Sequence, residues 1–210
     1  MLKKMNLPNK ITMLRIILVP FFVVFMALPK ELVWPAFVAF GIFIVAAITD
    51  FIDGTIARKK GIVTKFGKIM DPLADKLIVS CGFIMLAGEN IGAIPTWIAC
   101  IVIFRDFFVN SLRMFGADNG KDVAATLSGK LKTVFQLSAI VFAIFGVAYS
   151  NISSDELTKI GEFLTSSNTD IIATFVNIFM SIFMVGVVIT TVWSLVDYFI
   201  RFKKDIDVEK

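Results

Sequence analysis

Apolar residues in this chain come in long unbroken runs rather than at the spacing of a surface helix or a half-buried strand. The runs 133–154 and 171–196 contain no charge, and 11–28 carries only Arg15. Crossing the hydrocarbon core of a bilayer takes about 20 apolar residues, so each of these predicts a spanning helix. Three shorter runs reach crossing length only by taking in charged neighbours. The run 33–48 continues into Asp50 and Asp53, 77–88 borrows 71–76, and 94–104 borrows 105–112. The pattern predicts six spans, an all-α integral membrane bundle forming one domain over residues 1–210. No small-residue cleavage site follows the first run, so it is expected to remain as a span.

The basic residues fix an orientation for such a bundle. Nineteen of the 21 Lys and Arg fall in the first segment, the connections 58–76 and 105–132, and the tail from 201; only Lys30 and Lys159 fall between. The positive-inside rule then puts both termini and both basic connections in the cytoplasm, which requires an even number of spans. Eleven acidic residues share that side, giving it +8, while two basic and six acidic residues give the other side −4. The overall surplus of +4 is thus a topology signal, and no nucleic-acid partner is expected. A multi-pass protein of the cell membrane is expected instead.

Composition closes off other classes. The chain is 57% hydrophobic with 22 Phe and a mean hydropathy of +0.84, against about 45–50% apolar for soluble domains. A soluble protein of this size cannot bury so much apolar surface. Cys81 and Cys100 both lie in apolar runs, so no disulfide framework is implied. There is no His, which leaves carboxylates, Lys, Tyr, Cys or water for any acid–base chemistry.

The charges that the shorter runs take in are the chemical signal, because ionisable groups within spans are costly and mark function. Asp50 and Asp53 are three apart and share a face of the second helix, with Gly54, Ala57 and Arg58 following. Asp71 and Asp75 are four apart and share a face of the third, where Pro72 suits the first helical position and Asp71 its cap. An isolated Asp-Pro would be read as a cap and nothing more; the full string is far more specific. Four converging carboxylates repel unless cations compensate them. An all-oxygen set suits magnesium, manganese or calcium rather than zinc. Gly54 and Ala57 clear space for a ligand, and Arg58 offers a fork that matches phosphate. Together these residues point to phosphoryl-type transfer.

The string Asp50-x-x-Asp53-Gly54-x-x-Ala57-Arg58, eight residues, Gly67, three residues, Asp71, three residues, Asp75 resembles the signature of the CDP-alcohol phosphotransferases without a gap or substitution. That resemblance implies a six-span bundle covering the chain, with a cytoplasm-facing active site and a site for two Mg2+ or Mn2+ ions surrounded by Asp50, Asp53, Asp71 and Asp75. It implies displacement of CMP from a CDP-linked group by an alcohol, with Asp75 as base for the acceptor hydroxyl. Gly54, Ala57, Arg58 and Gly67 would accommodate the CDP moiety, and the protein would be a homodimer.

For the alcohol, the signals lie outside the signature. Arg105, Arg113, Lys130 and Lys132 flank the cytoplasmic ends of the fourth and fifth spans and make a candidate pocket for an anionic acceptor phosphate. Asn6-x-Pro8-Asn9-x-x-Thr12-x-x-Arg15 and Gly129-Lys130-x-Lys132-Thr133 are similar to the bacterial phosphatidylglycerophosphate synthase branch of the family, which usually has Arg-Glu where this chain has Arg105-Asp106. The implied reaction joins CDP-diacylglycerol, kept in the membrane lipid by its acyl chains, to sn-glycerol 3-phosphate. Phosphatidylglycerol, inositol phosphate or serine as acceptor, a membrane prenyltransferase, and a small magnesium transporter remain the alternatives.

Overall fold

Backbone N–H and C=O groups in hydrocarbon must be satisfied within their own segment or a closed barrel, so long apolar runs become helices. The structure, a computed structural model, describes residues 7–29, 32–60, 65–88, 91, 93–118, 127–153 and 169–205. Its description omits the side chains of 51–60, 71 and 72 and of several helix-end positions. The elements, in order, are α1 (Leu7–Ala27), α2 (Val33–Lys60), α3 (Lys65–Ala87), α4 (Thr96–Asp118), α5 (Leu127–Ser153) and α6 (Thr169–Asp205). Every run expected to span lies largely within one of them. Three stretches are long and apolar enough to cross a membrane unaided: Asn9–Ala27, Leu127–Asn151 and Thr174–Ile200, with mean hydropathies of 2.1, 1.9 and 2.3. The fold is all-helical among the described residues, and its apolar helices are those of a membrane protein.

The signature is continuous helix at both of its ends. α2 runs 28 residues through Asp50 and Asp53 to Lys60, about 42 Å at 1.5 Å per residue. Asp71 does not cap a helix opening at Pro72; α3 already begins at Lys65, some two turns earlier. Lys65, Phe66, Ile69 and Met70 are compatible with helix, and only Gly67 weakens the segment. The helix therefore forms ahead of Pro72 despite the hydrogen bond that proline withholds.

Lipid tails are as apolar as Leu, so helices in a membrane associate through close packing rather than by escaping water. Small residues make the close packing possible here. On α2, Ala36, Ala39, Phe43 and Ala46 form a stripe at helical spacing and are all buried. Ala39, Phe43 and Ala46 share the core with Phe22 of α1, Phe83 of α3 and Ile140 and Ile144 of α5. At Gly82 of α3 a Cβ would meet the Ile140 side chain at 3.2 Å, so the α3–α5 approach uses the missing side chain. The most extensive pairing is α5 with α6. There Phe142 stacks on Phe179 and Phe183 with centroids 5.5 and 5.2 Å apart. The outer face of α6 exposes Phe175, Ile178, Ile182, Val185 and Ile189, as a surface against acyl chains would.

Buried polar residues concentrate at one end of this bundle. Contacts identify that end: Arg15 near the start of α1 meets Asp50 of α2, and Ser128 near the start of α5 meets Asp197 of α6. Arg113 of α4 meets Tyr198 of α6. The start of α5 and the later turns of α4 and α6 thus come together.

Candidate active site

Two charged groupings occupy the polar end. The first joins α1 to α2: Arg15 is buried and donates from Nη1 to Oδ1 of Asp50 at 2.6 Å. The second is a cavity of about 210 Å³ between α3, α4, α5 and α6. Asp75 and Lys76 of α3 face it, as do Arg105, Asp106 and Arg113 of α4, Lys130 of α5 and Tyr198 of α6. Asp75 is more than one-third exposed and its nearest described cation is Lys76, at 3.7 Å, so its carboxylate is open to a ligand.

Helical spacing explains the basic wall. Arg105 and Arg113 are eight apart on α4, a little over two turns, so both point the same way, with Val109 between them on the cavity face. Ser194 and Tyr198 are four apart on α6 and meet them in turn. Arg105 donates from Nη2 to the Ser194 hydroxyl, and Arg113 donates from Nη2 to the Tyr198 hydroxyl at 2.6 Å. The Tyr198 ring lies 5.6 Å from the Arg105 guanidinium carbon and 5.2 Å from that of Arg113, within cation–π range of both. Each arginine also keeps a buried Nε–H with no hydrogen-bond partner among the described residues. Such a donor is costly unless an anion or a water takes it.

Lys132 is not among the cavity-lining residues. It is buried and donates from Nζ to Oδ1 of Asp106, which also accepts from Arg105 Nη1 at 3.2 Å. Of the four cations expected around an acceptor phosphate, the structure brings Arg105, Arg113 and Lys130 to one cavity with Asp75. Lys132 stands behind the wall.

The remaining signature residues are placed less fully. Gly67 is buried on α3. Asp53, Gly54, Ala57 and Arg58 lie on the α2 backbone and Asp71 on that of α3, but their side chains lie outside the described residues. Among the described residues no three metal-ligating side chains cluster; only Asp50 and Asp75 of the expected four ligands are described, one against Arg15 and one in the cavity.

Three residues with defined roles here carried no role in the sequence reading. Asp106 had a signal, a carboxylate within a span. Ser194 and Tyr198 had a weaker one, polar groups four apart near the end of an apolar helix.

The comparisons with known proteins agree with each other. A family model described as CDP-alcohol phosphatidyltransferase matches residues 5–197. A Bacillus subtilis protein named CDP-diacylglycerol--glycerol-3-phosphate 3-phosphatidyltransferase is 43% identical over 145 residues, 64% of this chain and 74% of that protein. Proteins of the same name from Rickettsia typhi and Escherichia coli K12 are each 37% identical, over 166 and 142 residues. Those matches cover 76% and 67% of this chain, and 90% and 77% of the respective relatives.

Proposed function

This chain belongs to the CDP-alcohol phosphatidyltransferase family, and we propose that it transfers the phosphatidyl group of CDP-diacylglycerol to sn-glycerol 3-phosphate. The products are phosphatidylglycerophosphate and CMP. Relatives at 37–43% identity carry the name of that activity. The observation that carries the acceptor assignment is the shared cavity: a carboxylate, Asp75, opens into the same space as Arg105, Arg113 and Lys130. An acceptor with both a hydroxyl and a phosphate is what such a cavity selects.

In this reading Arg105, Arg113 and Lys130 hold the acceptor phosphate through charge-assisted hydrogen bonds. That orients the sn-1 hydroxyl toward Asp75, whose carboxylate takes its proton as the oxygen attacks phosphorus. With no His in the chain, a carboxylate is the natural general base. Bond formation from the acceptor oxygen accompanies cleavage of the phosphoanhydride, and the electron pair leaves on CMP. Gly54, Ala57, Arg58 and Gly67 accommodate the CDP moiety along α2 and α3.

The family's divalent metal fits the residue chemistry, since the four expected ligands, Asp50, Asp53, Asp71 and Asp75, are all hard carboxylate oxygens. Bound there, Mg2+ or Mn2+ would neutralise the diphosphate and its developing charge. Arg15 meanwhile fixes one of those carboxylates by its 2.6 Å contact with Asp50. Six spans, a site at the cytoplasmic face of the cell membrane, cytoplasmic termini and a homodimer complete the proposal. The deciding experiment presents CDP-diacylglycerol with a panel of alcohols in detergent, with and without magnesium. CMP release that depends on glycerol 3-phosphate and on the metal is expected; release with serine, inositol phosphate or phosphatidylglycerol alone would reassign the acceptor. No CMP release with any alcohol would overturn the assigned reaction.

A further inference from the structure

We propose that Asp106 is a positioning residue that aims the Arg105 guanidinium into the acceptor cavity, with Lys132 serving to cancel its charge. The inference rests on the anionic-acceptor reading above and goes beyond it, because it assigns roles to two residues outside the set that holds the acceptor phosphate.

Asp106 is 2% exposed, and an ionised carboxylate in such a place is costly unless it is paired. Both of its cationic contacts converge on one oxygen, Oδ1: Lys132 Nζ from α5 and Arg105 Nη1 from the adjacent position on α4. Neighbouring residues on a helix project about 100° apart, so the Arg105–Asp106 contact at 3.2 Å requires the guanidinium to turn around the helix surface toward its neighbour. Its other terminal nitrogen, Nη2, is held by Ser194 of α6. A planar group fixed at both terminal nitrogens has one orientation, and in this one Arg105 lines the cavity.

The arrangement has an electrostatic problem and its solution. Asp106 also borders the cavity, where an unneutralised carboxylate would repel a phosphate. Lys132, 1% exposed and absent from the cavity wall, donates to that carboxylate from behind. Asp106 can therefore orient an arginine at an anion site without presenting a net negative charge to it.

This assignment makes a prediction opposite in sign to simple electrostatics. Asp106→Asn removes a negative charge from the wall and frees Lys132, which on charge alone would tighten an anionic acceptor. If Asp106 positions Arg105, the KM for glycerol 3-phosphate instead rises about tenfold, the worth of one charge-assisted hydrogen bond. The KM for CDP-diacylglycerol then stays within about twofold, and Asp106→Glu restores most of the acceptor affinity. Should Asp106→Asn fail to fold with Lys132 stranded, the double variant Asp106→Asn with Lys132→Met removes both charges together, a change that buried pairs commonly tolerate. It is expected to melt near the wild type in detergent and still show the raised acceptor KM. An unchanged or lowered acceptor KM in the folded variant overturns the inference, as does an equal rise for both substrates. The wild-type arm reports separately on the reading beneath: if only an uncharged alcohol supports CMP release, that reading and this inference both fall.

Discussion

Arg15 and Asp50 form an ion pair at 2.6 Å in which one partner is dry and the other wet. The arginine side chain is 1% exposed and the carboxylate 46%. Removing the two partners should therefore have unequal consequences. Asp50→Ala leaves a guanidinium buried with less compensation, whereas Arg15→Leu leaves a carboxylate that water can reach. We expect Asp50→Ala to destabilise the detergent-solubilised protein by about 1–3 kcal/mol and Arg15→Leu by less. Thermal unfolding followed by tryptophan fluorescence checks the order, and a larger loss in Arg15→Leu would contradict it.

Asp75 differs from Asp50 in having no such buried partner among the described residues; its nearest described cation is Lys76 at 3.7 Å, and both side chains are partly exposed. Its replacement by Asn should leave the fold intact. Loss of a general base costs about 10²–10⁴-fold in rate, and turnover of Asp75→Asn should fall at least that far. CDP-diacylglycerol binding, read by equilibrium ligand binding, should persist in part. Near wild-type CMP release from this variant would remove Asp75 from the mechanism.

Tyr198 offers a finer test of the basic wall. Its hydroxyl accepts from Arg113 at 2.6 Å while its ring borders both arginines. Tyr198→Phe keeps the ring and removes only the acceptor, so Arg113 loses one of its fixing contacts. The acceptor KM should rise by about two- to tenfold, matching a hydrogen bond of about 0.5–1.5 kcal/mol. The CDP-diacylglycerol KM and the unfolding temperature should hardly move. Tyr198→Ala also opens space beside two guanidiniums and should lower both stability and acceptor affinity.

The difference between what the chain's sequence makes legible and what it hides follows from what periodicity can encode. Run lengths and charge placement are properties of one segment at a time, and they predict all six helices from residues such as Arg15 and the charge-free stretch before Ser154. They also mark Asp75, Arg105, Arg113 and Lys130, which share one cavity. Contacts between helices depend on how each is rotated about its axis, which a run that is apolar all round does not record. That is why Lys132 reads like its neighbour Lys130 along the chain yet turns inward to Asp106. It is also why Ser194 and Tyr198 pass as ordinary polar residues until α4 is set against them. Asp71-Pro72 shows a different failure: local capping rules favour a helix start there, and the preceding six residues extend the helix regardless.

Among the described glycines, Gly186 of α6 has the least room for a side chain. A Cβ placed there would run into the aromatic ring of Phe135 on α5, and the two helices form the most extensive pairing in the bundle. Phe135 itself packs on Phe183 with centroids 6.0 Å apart, so the ring cannot swing aside freely. One added methyl group should then push the helices apart or force Phe135 off its rotamer, at a cost of about 1–3 kcal/mol. The strain would be felt along α6, about two to three turns on, where Ser194 and Tyr198 hold the two arginines. Gly186→Ala is accordingly expected to lower the unfolding temperature and to raise the acceptor KM modestly. Combining it with Phe135→Leu, which removes the obstructing ring, should recover much of both; a double variant no better than Gly186→Ala alone would place the damage elsewhere than in this contact.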